Sequence, residues 1–330
     1  RRRHTRSYLK SRELGDVYKR QASLSSRPAV DWVESDSEDA MADTGQAIEA
    51  TGISYSYDGS LAVNDVSFQV ASGEIFGLLG PNGAGKSTTV KMLTGQLRPS
   101  QGNIRILGMD GTAESSGFQA RIGVCFEEKN LYSAMTAVEN LKFFASLFGI
   151  KPFDPNPLLE RVDLAARGND RVGEYSKGMR QRLMMARALV NEPDVLFLDE
   201  PTDGLDPVSA RTIQEMIRAE AARGAAVLLT THDMWEADTL ADRVAFINQG
   251  EILAMDAPET LKLQHGRRSV RIRARSGPDE IQELVIPLED EDAAGEVQKA
   301  IAELDLLTIH TEEATLEDVF VAYAGRGLDA

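Results

Sequence analysis

Residues 80–88 read Gly80-Pro81-Asn82-Gly83-Ala84-Gly85-Lys86-Ser87-Thr88, and the run that leads into them, Ile75 to Leu79, is wholly apolar. A short apolar run bounded by a glycine turn predicts a buried strand, and the recurrence of Thr89, Met92 and Leu93 after it predicts a helix. Strand, glycine-rich turn ending in Lys-Ser, then helix is the context in which the pattern GxxxxGK[ST] forms a phosphate-binding loop. Glycines let backbone N–H groups converge on an anion with no Cβ in the way. The helix that follows points its unpaired N–H groups and positive dipole end at the same anion. In such a loop Lys86 reaches the β- and γ-phosphates and the Ser87 hydroxyl ligates Mg²⁺.

Length and composition bound what surrounds this loop. The chain has 330 residues, enough for one large or two ordinary domains. A hydrophobic fraction of 42% and a charged fraction of 27% are those of a globular protein. No stretch approaches the roughly 18 consecutive apolar residues of a spanning helix. The single cysteine, Cys125, rules out an internal disulfide and suits a reducing compartment. A net charge of −16 argues against nonspecific nucleic-acid binding, which needs clustered positive charge. Residues 1–27 nevertheless hold nine Lys/Arg against two acids, and residues 281–330 hold thirteen acids against two bases. The basic head lacks the apolar core of a signal peptide and the interleaved aromatics of a nucleic-acid platform. The first methionine is Met41, directly before a strand pattern. Residues 1–40 are therefore expected to be disordered or non-native, with the natural start at Met41.

From there, Ile48 to Tyr55 and Val63 to Val70 read as strands around a turn at Asp58-Gly59. Tyr57 sits in that turn, as a packing residue at a strand end or as a platform for a flat base. Asn103 to Leu107 and Ile122 to Phe126 are further strand candidates. Val138, Leu141, Phe144, Ala145 and Phe148 recur at helical spacing, and a second helix is expected around Leu158 to Leu164. This helical region, within about 127–192, reads as an insertion into an α/β core. Ser176 is a candidate N-cap for a helix from Lys177 to Val190 with Met179, Leu183, Ala186 and Val190 as its buried stripe and Arg180, Arg182 and Arg187 off it. A capped start carrying Gly178 is either a second anion site or an ordinary cap.

Val195 to Leu198 is an unbroken apolar run, the mark of a strand buried on both faces, and it ends in Asp199-Glu200. Adjacent carboxylates there are costly unless they meet a cation or a proton-transfer task. Ligands of open α/β sheets gather at the carboxyl ends of strands, which brings Asp199 to the metal and Glu200 to the attacking water. Ala225 to Thr231 is a second such run and ends at His232. A helix at Met234 to Ala241 and strands at Val244 to Ile247 and Ile252 to Met255 close the core. Beyond Gly266, apolar Val270, Ile272 and Ala274 alternate with Arg271, Arg273 and Arg275, and helices near Glu296 to Leu304 and Thr315 to Tyr323 flank a strand at Leu306 to Ile309. A small α+β domain is expected over 266–330, its basic strand paired with its acidic remainder.

From Ile48 to about Leu261 these pieces resemble the ATP-binding subunit of ABC transporters. GPNGAGKST is similar to the Walker A loop, VLFLDE to the Walker B strand, GLD (Gly204 to Asp206) to the D-loop, YSKGMRQRL to the signature helix and the histidine of TTHDMWEAD to the switch histidine. The resemblance implies an α/β P-loop NTPase of the ABC ATPase type, with a helical subdomain, N-terminal antiparallel strands and a small C-terminal α+β domain. It implies ATP and Mg²⁺ as ligands. It implies ATP contacts from Tyr57 and residues 80–88, metal contacts from Ser87, Glu127 and Asp199, and catalytic roles for Glu200 as general base and His232 at the γ-phosphate. It further implies a head-to-tail dimer, in which Ser176, Lys177, Gly178 and Met179 of one subunit complete the site of the other and Asp206 lies in the D-loop. A membrane permease on a separate polypeptide, at the cytoplasmic face of the membrane, is the partner it implies, and no nucleic acid. The segment NLYSAMTAVENLKFFASLFGI and the tail ATLEDVFVAYAG resemble exporter subunits; an importer ATPase and a soluble ABC-type ATPase are the competing readings.

Two positions depart from the family pattern. Glu127 stands where the Q-loop has glutamine, and Lys177 where the signature has its first glycine. A carboxylate offers the metal an oxygen but loses the amide donor and adds charge. Lysine is strained at positive φ but not as the first residue of a helix, where its cation would sit near the partner's phosphates. Glu127→Gln is expected to shift the Mg²⁺ dependence of ATPase activity, and a metal titration of both proteins checks it.

Overall fold

The computed structural model describes residues 45–113, 117–126, 130–265, 269–275, 281–288, 290, 292–312 and 314–325. The expectations for residues 1–40 and for Glu127 lie outside them. Thirteen strands, nine α-helices and three single-turn 3-10 helices are formed by the described residues. The first two strands, β1 (Gln46–Tyr57) and β2 (Ser60–Ala71), form a hairpin closed by Asp58-Gly59, both at positive φ. β3 (Ile75–Leu79) runs into the glycine loop and α1 (Lys86–Leu93). Next come β4 (Gln101–Ile106), β5 (Met109–Asp110), β6 (Ile122–Cys125), α2 (Ala137–Leu147) and α3 (Asn156–Arg161). The centre of the chain continues with α4 (Lys177–Ala188), β7 (Val195–Asp199), α5 (Pro207–Ala222), β8 (Ala226–Thr231) and α6 (Met234–Leu240). The last third contains β9 (Arg243–Asn248), β10 (Glu251–Asp256), α7 (Pro258–His265), β11 (Ser269–Arg275), β12 (Ile281–Pro287), α8 (Ala293–Glu303), β13 (Asp305–Glu312) and α9 (Leu316–Ala324).

Six strands make the central sheet in the order β10-β9-β3-β8-β7-β6, parallel except for β10 at its edge. β3, β7 and β8 are buried at every position, which requires cover on both faces. The antiparallel sheet β2-β1-β4-β5 supplies one cover through Ile48, Val63, Phe68 and Ile104, which join Phe76, Leu78 and Phe197 in one cluster. The helices supply the other: Leu141, Leu159, Leu183, Ile213 and Ile217 cluster with Leu196, Leu198 and Leu229. The third sheet, β12-β11-β13, packs on α8 through Val270, Ile272, Ile286 and Ala300. On its other side Glu283 pairs with Arg271 and Arg273, the expected match of basic strand with acidic neighbour. The last helix, α9, packs elsewhere. Its Leu316, Val319 and Phe320 join Leu79, Phe246 and Leu261, with the Phe246 and Phe320 rings edge-on at 5.6 Å.

Four of these strands and α-helices have no counterpart in the sequence reading. β5, β12 and α7 are short, but α5, at 16 residues, is the longest helix described. Its signal is present: Asp206 at the N-cap, Pro207 at the first position, then Ile213, Met216 and Ile217 at helical spacing. A second difference concerns α4. Arg187 does not fall off the buried side; it is 3% exposed. From Leu183 onward every face of this helix is covered, so no solvent stripe remains for it. Its guanidinium donates to Val124 O at 3.0 Å and Asn130 O at 3.1 Å, and lies 5.0 Å from the centre of the Phe144 ring. Arg187 thereby ties α4 to both sides of the segment that contains Glu127. Replacing it with methionine leaves two carbonyls without that donor. Arg187→Met is expected to lower stability by about 1–3 kcal/mol, read as a lower urea midpoint with unchanged slope.

Candidate functional site

The site is built where three parallel strands stop together. Leu79 at the end of β3 lies opposite Thr231 at the end of β8, and Thr230 lies opposite Asp199 at the end of β7. The residues that follow, Gly80, His232 and Glu200, therefore emerge side by side at the carboxyl edge of the sheet. Gly80 N donates to Thr231 O at 3.4 Å, so the first glycine of the loop is tied to the strand that ends in the histidine.

Gly80-Pro81-Asn82-Gly83-Ala84-Gly85 wraps over the start of α1. Two of its glycines are required by space. A Cβ on Gly80 would lie 2.1 Å from Ile247 O, and one on Gly85 would lie 2.6 Å from Ala62 O, at a residue whose φ of +110° excludes ordinary side chains. Ala84 is buried, and Ala84 O accepts from Gly250 N at 2.9 Å, which pins the loop to the β9–β10 turn. Lys86 and Ser87 open α1, followed by Thr88, so the N–H groups of that helical turn have no carbonyl partners within the helix. These groups form a cradle for phosphate.

The Lys86 side chain is 5% exposed and folds back into this cradle. Its Nζ donates to Gly80 O at 2.6 Å and lies 3.0 Å from Glu200 Oε1, an ion pair rather than an aligned hydrogen bond. Glu200 Oε2 in turn lies 2.9 Å from His232 Nδ1 and accepts from His232 N at 3.3 Å. One carboxylate thus bridges the lysine of the loop and the histidine beyond β8. Glu200 holds this place with φ of +49°, a left-handed backbone that is uncommon for a side chain of its size and costs on the order of 1–3 kcal/mol. Glu200 N donates to Thr230 O at 3.0 Å, which fixes that backbone against β8.

Asp199 is 4% exposed. Its Oδ1 accepts from Ser87 Oγ at 3.2 Å and from the Thr230 hydroxyl. A hydroxyl and a carboxylate meeting beside a phosphate cradle fit Mg²⁺, which takes one or two protein oxygens and completes its shell with phosphate and water. Among the described residues no cluster of three or more His, Cys, Asp or Glu side chains is suited to a metal, so no cage independent of a nucleotide is formed by them. Cys125, at the end of β6, is fully buried, and desolvation pushes its thiol up to about 11, which makes it an inert core residue.

The signature residues lie elsewhere on the surface. Ser176 caps α4, its Oγ accepting from Met179 N at 3.2 Å. Lys177 is the first residue of the helix and is absent from the positions of positive φ, so it is unstrained. Its ammonium lies 3.5 Å from Asp203 Oδ2, and a Cβ on Gly204 would come within 2.0 Å of it. A Cβ on Gly178 would meet Ser209 Oγ at 2.7 Å. The start of α4 is thus packed directly on the start of α5. Asp206 caps α5, accepting from Ser209 N at 2.9 Å and Val208 N at 3.1 Å, and the backbone bond from Ser209, followed by its hydroxyl, leads the lowering of its pKa. Tyr57 ends β1 with its ring edge-on to Tyr55 at 4.8 Å and is 42% exposed, which leaves ring surface for a ligand. Within the chain, then, residues 80–88, Asp199, Glu200 and His232 are brought together, whereas Ser176–Met179 and Asp206 form a separate group. The residues that sequence reasoning missed here are Thr230, which orients both acids, and Asp203, which holds Lys177.

Gly85→Ala tests the cradle. It is expected to abolish binding of a fluorescent ATP analogue and to lower stability by about 1–3 kcal/mol through strain at positive φ, measured by titration and thermal unfolding.

Comparison with known proteins gives this geometry a family. A family model described as ABC transporter matches residues 63–203. The fluoroquinolones export ATP-binding protein of Mycobacterium tuberculosis (strain CDC 1551 / Oshkosh) is 44% identical over 285 residues, covering 86% of this chain and 95% of the relative. The Nod factor export ATP-binding protein I of Rhizobium sp. (strain N33) is 40% identical over 301 residues, covering 86% of this chain and 98% of that protein. Among solved structures, an ATP-binding subunit of an ABC transporter superposes with a TM-score of 0.62 at 31% identity, over 67% of this chain and 93% of the other. A bacterial ABC transporter cassette solved in dimeric form shares the fold with a TM-score of 0.59 at 24% identity, over 64% of this chain and 98% of that one. Among the described residues no helix is long and apolar enough to cross a membrane. The chain belongs to the ABC transporter family as an ATP-binding subunit of export type, an ATPase that powers export.

Proposed function

We propose that the chain works as a head-to-tail pair with a second nucleotide-binding subunit, each ATP lying between residues 80–88 of one subunit and Ser176 to Met179 of the other. What supports this reading is how the contacts divide: the phosphate cradle, the acids and His232 are linked to one another, whereas Lys177 and Gly178 meet Asp203, Gly204 and Ser209. A signature whose contacts run to the turn beyond β7 and the start of α5, rather than to the cradle, is available to a second copy. Tyr57 stacks on the adenine. Ser87 and Asp199, with Glu127 of the Q-loop, hold Mg²⁺, which when bound offsets the charge of the β- and γ-phosphates.

Glu200 is the general base. ATP in the cradle draws Lys86 onto its phosphates, which frees Oε1 of the carboxylate from its present cation. The carboxylate then takes a proton from water as the water oxygen attacks the γ-phosphorus, and the bond to the β-phosphate oxygen breaks to release ADP. His232 keeps its contact with Oε2 and senses the γ-phosphate. Lys177 leaves Asp203 for the partner's nucleotide as the pair closes. Closing and opening drive a permease on a separate chain, at the cytoplasmic face of the membrane. Residues 41–265 constitute the nucleotide-binding domain, with its helical subdomain at about 127–192, and residues 266–330 an accessory domain. The two export relatives are the reason for assigning an exporter rather than an importer; their substrates belong to them.

The carrying observation is the Glu200 carboxylate bridging Lys86 and His232 at the end of β7. Glu200→Gln is expected to keep ATP affinity, to lower turnover by roughly 10²–10⁴-fold and to accumulate an ATP-bound dimer, measured by steady-state hydrolysis and light scattering. Turnover at the wild-type rate overturns the assignment.

A further inference from the structure

Glu236 is a buried carboxyl for which the chemistry above has no use. It lies on α6, one helical turn beyond His232, and is 1% exposed. Thr202 Oγ1 donates to its Oε1 at 2.5 Å, and the Thr231 hydroxyl faces the same carboxyl. Desolvation by burial pushes its pKa above the usual carboxylate range, and the charges of Asp233 and Glu200 push the same way. A carboxyl this deeply buried is costly, and a hydroxyl partner only partly offsets the cost.

Its partner explains the position. Thr202 follows Glu200 and Pro201 in the turn beyond β7, a turn closed by Asp203 N donating to Glu200 O at 3.3 Å. The turn has two outer anchors. Lys177 reaches Asp203 at 3.5 Å, but both side chains are about half exposed, and such a pair contributes little. The bond from Thr202 to Glu236 is sheltered from water and therefore the stronger of the two. Glu236 is in turn fixed to the start of α6, where Asp233 Oδ1 accepts from Glu236 N at 3.1 Å and from Trp235 N at 2.9 Å. Asp233 directly follows His232, so one buried carboxyl connects the turn of the glutamate to the helix that follows the histidine.

We propose that Glu236 is a positioning residue for ATP hydrolysis: through Thr202 it holds the turn that aims the Glu200 carboxylate at the attacking water and keeps it in register with His232. The inference rests on the reading of Glu200 as the base. It accounts for the left-handed backbone of Glu200, which persists only where the surroundings over-determine it.

Steady-state ATPase kinetics and titration with a fluorescent ATP analogue test it on the full chain. Thr202→Val and Glu236→Leu are expected to lower kcat by roughly 10–100-fold, as small misplacements of a reacting group do, with KM and analogue affinity changed by less than about 2-fold. Thr202→Ser and Glu236→Gln, which keep the hydroxyl and an acceptor oxygen, are expected to restore most of the turnover. The double variant Thr202→Val/Glu236→Leu is expected to be no slower than the slower single one, because both remove the same link. Wild-type turnover in Thr202→Val, a parallel loss of ATP affinity, or no recovery in the two conservative variants overturns the proposal. Where Glu236→Leu does not fold, the Thr202 pair decides alone. Glu200→Gln run alongside separates the two readings: if it turns over normally the base assignment fails, and if it is inactive while Thr202→Val is normal only the role of Glu236 fails.

Discussion

Leu79 stands opposite Thr231, and Thr230 opposite Asp199, across two pairs of parallel strands. Everything the chain does with a nucleotide depends on that register. A parallel pair slipped by one residue would turn the side chains of one strand to its other face, and Asp199 would then point away from Ser87. The register is held because β3, β7 and β8 are buried at every position, so any slip would disturb packing on both faces of the sheet. The antiparallel sheet covers one face and the helices the other, and neither cover is replaceable by water.

Such burial raises a difficulty at the strand ends. Lys86, Asp199 and Glu236 are all at least nine-tenths buried and Glu200 nearly so, in a region where unpaired charge is costly. The structure answers with mutual pairing: lysine on glutamate, glutamate on histidine, serine and threonine hydroxyls on the aspartate, and a threonine on the second glutamate. The pairing leaves the cradle closed on itself. On the proposed reading of Glu200 as the base, phosphate entering the loop competes for the cation that restrains it, and substrate binding and release of the base become one event. Strain at the backbone of Glu200 belongs to the same arrangement, because a relaxed turn there would direct the carboxylate elsewhere.

Much of this was legible in the residues. The glycine loop carries its function in spacing, since only glycine fits at Gly80 and Gly85 and Lys86, Ser87 and Thr88 follow directly. The apolar runs before Glu200 and His232 announced buried strands because a parallel sheet needs cover on both faces and so suppresses alternation. α5 carries a plain Asp-Pro start and helical periodicity, but its Asp206 also fits the D-loop pattern, so the same residue serves two readings. Arg187 is buried for a reason that lies outside its own helix. A helical wheel assigns arginine to the solvent side, and only the packing of Phe144 and the segment beyond β6 shows a buried site with two carbonyls waiting for a donor.

The sequence by itself determined the local pieces: a phosphate loop, two core strands ending in acids and in a histidine, a capped signature helix, and the family they resemble. These depend on short-range rules, in which residue spacing and backbone preference decide the outcome. Only the tertiary structure decided how the pieces meet. That Glu200 bridges Lys86 and His232, that Lys177 rests over Gly204, and that Glu236 reaches Thr202 are contacts between segments far apart in the chain. Their partners are chosen by strand register and by the packing of helices on the sheet, and neither quantity is written in any single stretch of residues.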